Sequence, residues 1–113
     1  MFEVYQIRLT ENDVLLVNSV GWDQACELSE NVKAYSVSTI DRDFQKAFEL
    51  GAYVKVSEID ATDLEDTFDI GNIGPESKIK RFCSMRSISV GDVIKDPDGV
   101  FHTVASTGFE KLS

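Results

Sequence analysis

The chain has 113 residues, 42% of them hydrophobic, and carries 20 acids against 11 bases for a formal net charge of −9. That length fits one domain, and seven phenylalanines with the other apolar residues suffice for a packed core, which excludes a disordered chain. The acidic balance argues against direct nucleic-acid binding, which needs a surplus of Lys and Arg to displace counterions, and no apolar run approaches the roughly 18 residues of a membrane-spanning helix.

The opening Met1-Phe2-Glu3-Val4-Tyr5 lacks the basic and apolar regions of a signal peptide, so the expected location is the cytoplasm. Phe2 to Leu9 alternates as a half-buried strand, with Tyr5, Ile7 and Leu9 on one face and Gln6 and Arg8 on the other. Thr10 suits the N-cap of a helix starting at Glu11, with Asp13 at the third position and Gly21 as the stop. Leu16 and Val20, widened by Val14 and Val17, predict its apolar face. Trp22 to Asn31 reads as a short helix, and Ala34 to Thr39 alternates like a strand. Asp41 to Leu50 predicts a helix that turns Phe44, Ala47 and Phe48 inward and ends at Gly51.

Tyr53 to Ile59 has the β-branched and aromatic content of a strand. Thr62-Asp63-Leu64-Glu65 has the form of a capping box for a helix that places Leu64 and Phe68 one turn apart and stops at Gly71-Asn72. A loop through Gly74-Pro75 leads to a short strand over Ile79 to Cys83. Asp92 to Ala105 predicts a hairpin turning at Asp96-Pro97-Asp98-Gly99, and Gly108 breaks the chain before Phe109. This mixed order predicts an α+β single domain spanning 1–113, with a mostly antiparallel sheet, three or four short helices and a C-terminal β-hairpin.

Several of these residues carry a resemblance. Tyr5-Gln6-Ile7 comes first, then Leu64-Glu65-Asp66-Thr67-Phe68 with Asn72 and Pro75-Glu76. Arg86-Ser87-Ile88-Ser89-Val90-Gly91-Asp92-Val93-Ile94 and Gly108-Phe109-Glu110-Lys111-Leu112 follow. The ordered set resembles the YodL-like domains of bacteria, phages and mobile elements. The resemblance covers most of the chain but is sparse before residue 60. The chain departs from it at Ile70-Gly71, where an aromatic residue is usual before Asn72, and residues 10 to 50 have no counterpart. Such domains occur free-standing or inside large phage and plasmid polyproteins, often near anti-defence functions, and the namesake is linked to interference with cell-shape machinery. The resemblance implies no enzymatic activity. The Ser-Val-Gly-Asp stretch also has a structural explanation, as a turn in which Ser89 or Asp92 satisfies backbone amides before a strand begins.

The chemistry-bearing residues are sparse. Cys26 and Cys83 form no Cys-x-x-Cys pair, and a single histidine completes no zinc set with them, so reduced thiols and no metal are expected. His102 reads as a hydrogen-bonded strand histidine, and Ser87 and Ser89 have no base at nucleophile spacing. No catalytic residue and no cofactor are expected.

The charge, in contrast, is organised. Glu58, Asp60, Asp63, Glu65, Asp66, Asp69 and Glu76 form a stretch without a base, followed at once by Lys78, Lys80, Arg81 and Arg86. Asp63, Asp66 and Asp69 recur every three residues, which predicts a helix surface turned away from Leu64 and Phe68. Asp60, Asp63, Asp66, Asp69 and Glu76 are thus the candidate contacts for a basic partner, with Trp22 as a second anchor if it is partly exposed. The expected function is a non-enzymatic phage or mobile-element accessory protein that binds and modulates or inhibits a bacterial host protein in the host cytoplasm. An acidic DNA mimic that occupies a nuclease, restriction-enzyme or polymerase groove is the alternative. A small nucleic-acid-binding domain is a third reading, since a Val-Gly-Asp turn feeding a hairpin also resembles the opening of some RNA-binding barrels. An exposed edge strand leaves room for a homo-oligomer.

Overall fold

The computed structural model describes residues 1–113 and confirms the α+β class. Its contacts divide the chain into two compact units, one formed by residues 1–6 with 54–113 and the other by residues 7–53.

The first unit is built on a sheet. Strand β1 (Phe2–Ile7) and β2 (Tyr53–Ile59) are followed by helix α5 (Leu64–Ile73), a 3₁₀ turn (Glu76–Lys78) and strands β3 (Ile79–Arg81), β4 (Val93–Lys95), β5 (Phe101–Val104) and β6 (Phe109–Lys111). The six strands lie in the order β3-β2-β1-β4-β5-β6. The pairings β1·β4, β2·β3, β4·β5 and β5·β6 are antiparallel, with Val4 opposite Ile94 and Ile94 opposite His102. Phe2, Val4, Val56, Ile59, Ile70, Ile88, Ile94 and Val104 form the core, with Leu64, Phe68 and Phe109 packed against it.

β1 breaks the expected alternation. It ends at Ile7 rather than Leu9; Ile7 is buried and Arg8 exposed as expected, but Phe2, Val4 and Gln6 are also buried and Tyr5 is only half-buried. Gln6 goes inside because its amide finds partners there, as described below; a period-2 pattern that sorts side chains by polarity alone sends it to solvent. The hairpin forms as expected. Asp96 accepts at one carboxylate oxygen from the backbone N–H groups of Asp98 (2.9 Å) and Val100 (3.0 Å), and Gly99 takes the positive φ of 86° that closes the turn.

The second unit is helical: α1 (Glu11–Val20), α2 (Trp22–Leu28), α3 (Glu30–Thr39) and α4 (Phe44–Glu49). With α5 this makes five α-helices, more than the three or four expected. The Thr10 cap and the Gly21 stop of α1 are as read from the sequence, but the predicted apolar face holds only in part: Leu16 and Val17 are half-buried, Val14 and Val20 are exposed, and the buried side chain is Asp13. Its carboxylate accepts from Thr10 N–H (2.8 Å), Thr10 Oγ1 (2.9 Å), Ser29 Oγ (2.7 Å) and Asn31 Nδ2 (3.3 Å), so it ties the start of α1 to the start of α3. Burial alone would raise the Asp13 pKa, but these bonds together hold it below the usual value.

Ala34 to Thr39 is helix and not strand. Ser29 caps α3 by accepting from Val32 N–H, and Ala34, Val37 and Ser38 are buried at the three- and four-residue spacing of one helical face. The β-branched alternation is therefore overridden by the cap and by packing against α2 and α4. Helix α4 starts later than expected, at Phe44, because Asp43 is its cap.

α5 also departs from expectation at both ends. Its N-cap is Asp63, whose Oδ1 accepts from Asp66 N–H (2.8 Å), while Asp66 Oδ2 accepts from Thr62 N–H (2.9 Å) and Thr62 Oγ1 (3.3 Å). The helix does not stop at Gly71-Asn72 but runs to Ile73, with Gly74 as its C-cap. Gly71 is there for space. A Cβ at that position would clash with Cδ1 of buried Ile88, and would lie 2.9 Å from its Cγ1 and 3.4 Å from Ile59 Cδ1. Gly71→Ala should therefore destabilise by about 1–3 kcal/mol through overpacking, although Ala in an unhindered helix gains roughly 1 kcal/mol over Gly. A lower urea midpoint at unchanged slope is the expected reading, with Ile88→Val recovering part of the loss. A midpoint at or above that of the parent would contradict the close approach.

Candidate protein-interaction site

α5 decides which acids are available. Asp63 and Asp66 are engaged in starting the helix. Glu76 is held by Arg81 through two hydrogen bonds of 2.6 and 3.0 Å, and the guanidinium keeps its carboxyl below the usual range. Glu58 takes Lys55 Nζ at 3.0 Å. Asp60 is exposed just beyond β2, with its backbone N–H donated to Lys78 O. Trp22 lies in the helical unit, stacked on Tyr35 with ring centroids 6.1 Å apart, and is 40% exposed.

The structure brings Asp69 together with Glu65, a residue that the three-residue spacing of the aspartates passes over. Both are exposed, and neither takes part in an ion pair. They sit one helical turn apart and line a groove of about 340 Å³ with Phe68, Val104, Ala105, Ser106, Gly108 and Phe109. Phe68 therefore lies beside the acids rather than on the opposite face. No Lys or Arg occurs in α5, so nothing on the helix offsets its charge.

Three of the four residues of the basic cluster have partners within the chain, and Lys78 is exposed. Arg81 pairs with Glu76, Lys80 Nζ lies 5.5 Å from the centre of the Phe82 ring, and Arg86 reaches Asp92 at 3.5 Å. His102 meets Asp96 at 2.8 Å across the hairpin turn. That partner, six residues away along the chain, becomes visible only when the turn is built. No group of three His, Cys, Asp or Glu side chains is placed to hold a metal ion, and no helix is long and apolar enough to cross a membrane.

The irregular stretch between β3 and β4 is fastened by side-chain amides. Gln6 Nε2 donates to Arg86 O (3.1 Å) and to Asp92 Oδ2 (3.0 Å), and Gln6 Oε1 accepts from Arg86 N–H (3.1 Å). Two residues on, Asn72 does the same to Ile88: its Nδ2 donates to Ile88 O (3.1 Å) and its Oδ1 accepts from Ile88 N–H (2.6 Å). Asp92 Oδ2 also accepts from Ser89 N–H (3.0 Å), so the Ser-Val-Gly-Asp turn is closed by the aspartate, as its composition suggested. Nothing local in the sequence marks Gln6 and Asn72 for these roles, because only the fold brings them to the loop.

Comparison with models of known protein families, with curated proteins and with solved structures finds no match for this chain.

Burial pushes the Asp92 carboxyl up to about 6, against the opposing pull of Ser89 N–H, Arg86 and Gln6. Because that lies above the unfolded value of roughly 3.9, the folded state holds the proton more tightly. Its contribution to stability is fully present below about pH 4 and lost as pH rises through about 6. Compared with Asp92→Asn, the parent protein should lose roughly 2–3 kcal/mol between pH 4 and pH 7. Urea unfolding at the two pH values reads this directly, and parallel pH profiles would contradict it. Asp69 makes a second prediction. Asp69→Lys replaces a like-charge pair with a favourably oriented Glu65–Lys pair and should stabilise by about 0.5 kcal/mol at low salt. The gain should fade in 1 M salt.

Proposed function

We propose that this chain is a non-enzymatic binding protein of the phage or mobile-element accessory kind, which attaches to a bacterial host protein and modulates or inhibits it. The contact surface is the outer side of α5, where Glu65 and Asp69 stand. A single observation carries the reading: Glu65 and Asp69 are exposed and unpaired, while most acids around them are tied to caps or to cations. Such carboxylates steer a basic partner and fix its orientation more than they add affinity. Occupying the partner's basic patch would block whatever normally binds there. The ordered resemblance to YodL-like domains supports the accessory role and names no target.

The test is a tagged pull-down from a bacterial host lysate, washed at low and high salt and read by mass spectrometry. We expect one stoichiometric partner whose capture weakens with salt and is lost in the Glu65→Lys, Asp69→Lys double variant. Equal capture by that variant would remove α5 as the contact surface. Competition of the captured partner by duplex DNA would instead identify a DNA mimic.

A further inference from the structure

The groove beside α5 has the chemistry of a specific receptor, more than that of a diffuse negative surface. Its lining mixes apolar and polar surface: Phe68, Phe109, Val104 and Ala105 supply the apolar and aromatic part, and Glu65, Asp69 and Ser106 the polar part. Phe68, Val104 and Phe109 belong to or pack against the core, so the apolar part is held by the fold and does not have to form on binding. The volume of about 340 Å³ is at the low end of the roughly 300–1,000 Å³ found for small-molecule clefts, a size for one or two side chains.

From these features we infer that the groove is a pocket for an arginine side chain presented by a partner protein. Charge complementarity selects a cation, since the two carboxylates have no counter-charge within the chain to displace. The lining selects among cations. A guanidinium is planar and weakly hydrated, so its face stacks on phenylalanine while its edge donates to carboxylates; an ammonium is a strongly hydrated point charge that gains less from aromatic walls. Residues four apart on a helix have Cβ atoms about 6 Å apart, close enough for one guanidinium to bridge both acids. The like-charge repulsion between Glu65 and Asp69 is relieved when the cation arrives. The pocket also accounts for Phe109, which the acidic-surface reading does not use.

This inference rests on the reading of α5 as a binding surface, and its test is separable from the test of that reading. The probe is the peptide N-acetyl-Gly-Arg-Gly-amide, titrated to millimolar concentration into ¹⁵N-labelled protein. Matched peptides carry lysine or citrulline in place of arginine. We expect saturable shifts confined to the amides of Glu65, Phe68, Asp69, Ala105, Gly108 and Phe109. The lysine peptide should bind several-fold more weakly, and citrulline, which keeps the shape without the charge, should give no saturable shift. Glu65→Gln with Asp69→Asn should weaken arginine binding at least tenfold, while Asp60→Asn, outside the groove, should change it less than twofold. Both sets of changes are at exposed positions, and the same spectra report whether the fold is retained. The inference is overturned by absent shifts, by equal response to citrulline, or by Asp60→Asn weakening binding as much as the groove pair. Loss of partner capture in the charge-reversed variant without arginine binding would keep the acidic surface and discard the pocket. Arginine binding with unchanged capture would keep the pocket and discard α5 as the host-protein contact.

Discussion

The sheet unit depends on one buried amide. Gln6 is 1% exposed on β1, among Phe2 and Val4, yet each polar atom of its side chain has a partner. It pairs with both backbone groups of Arg86 as another peptide unit would, and its remaining donor goes to Asp92. An unpaired amide at that depth costs about 1–3 kcal/mol per lost group, so this is a part of the core that tolerates no apolar replacement on one side only. Through Asp92 the interaction reaches β4 and β5, because the Asp92 carbonyl accepts from Val104 N–H and from Thr103 Oγ1. The irregular loop, the sheet centre and the hairpin are thus fixed relative to β1 by the same few bonds.

α5 is placed by a second version of the same device. Asn72 grips both backbone groups of Ile88, and Gly71, lacking a Cβ, lets the Ile88 side chain come close to the helix. These contacts set the height of α5 above the core and thereby the shape of the groove between its Glu65 and Asp69 and the β5–β6 turn. Gln6, Asn72, Ser89 and Asp92 fasten the loop, while Glu65, Phe68, Gly108 and Phe109 line the groove. Ile70 is a core residue, and Gly71 is the point of closest approach to Ile88.

What could be read from the sequence was what local chemistry determines. The Thr10 cap with Asp13, the strand over Tyr53–Ile59 and the Asp96–Gly99 hairpin all form where short-range signals put them. The failures at Gln6, Gly71 and Ala34–Thr39 share a cause, which is that a distant partner outvoted a local preference. The alternation sends Gln6 to solvent because its amide partners lie across the sheet unit. Gly71 resembled a helix stop because Ile88 was not in view. Ala34–Thr39 alternates in sequence, but its burial follows helical spacing once neighbouring helices are present. Half of the candidate site was legible: Asp69 and the unbased acidic run could be seen. Its pairing with Glu65 across aromatic walls could not, since Val104 and Phe109 come from the far end of the chain.

The reach of the Gln6 contact bears on how such a chain is made. Gln6 and Asp92 lie 86 residues apart, and β1, which lies between β2 and β4, pairs antiparallel with β4 near the other end of the chain. Residues 7–53, by comparison, form a continuous unit whose helices pack on their immediate neighbours in sequence. During translation the helical segment can mature as it leaves the ribosome, while the Phe2–Ile7 strand must wait with its edge unsatisfied on the β4 side until residues 86–95 emerge. Contacts of such long sequence separation are slow to close and expose unpaired strand meanwhile. The amide that seals the finished sheet therefore also spans a loop of 86 residues, which closes only after most of the chain has been made.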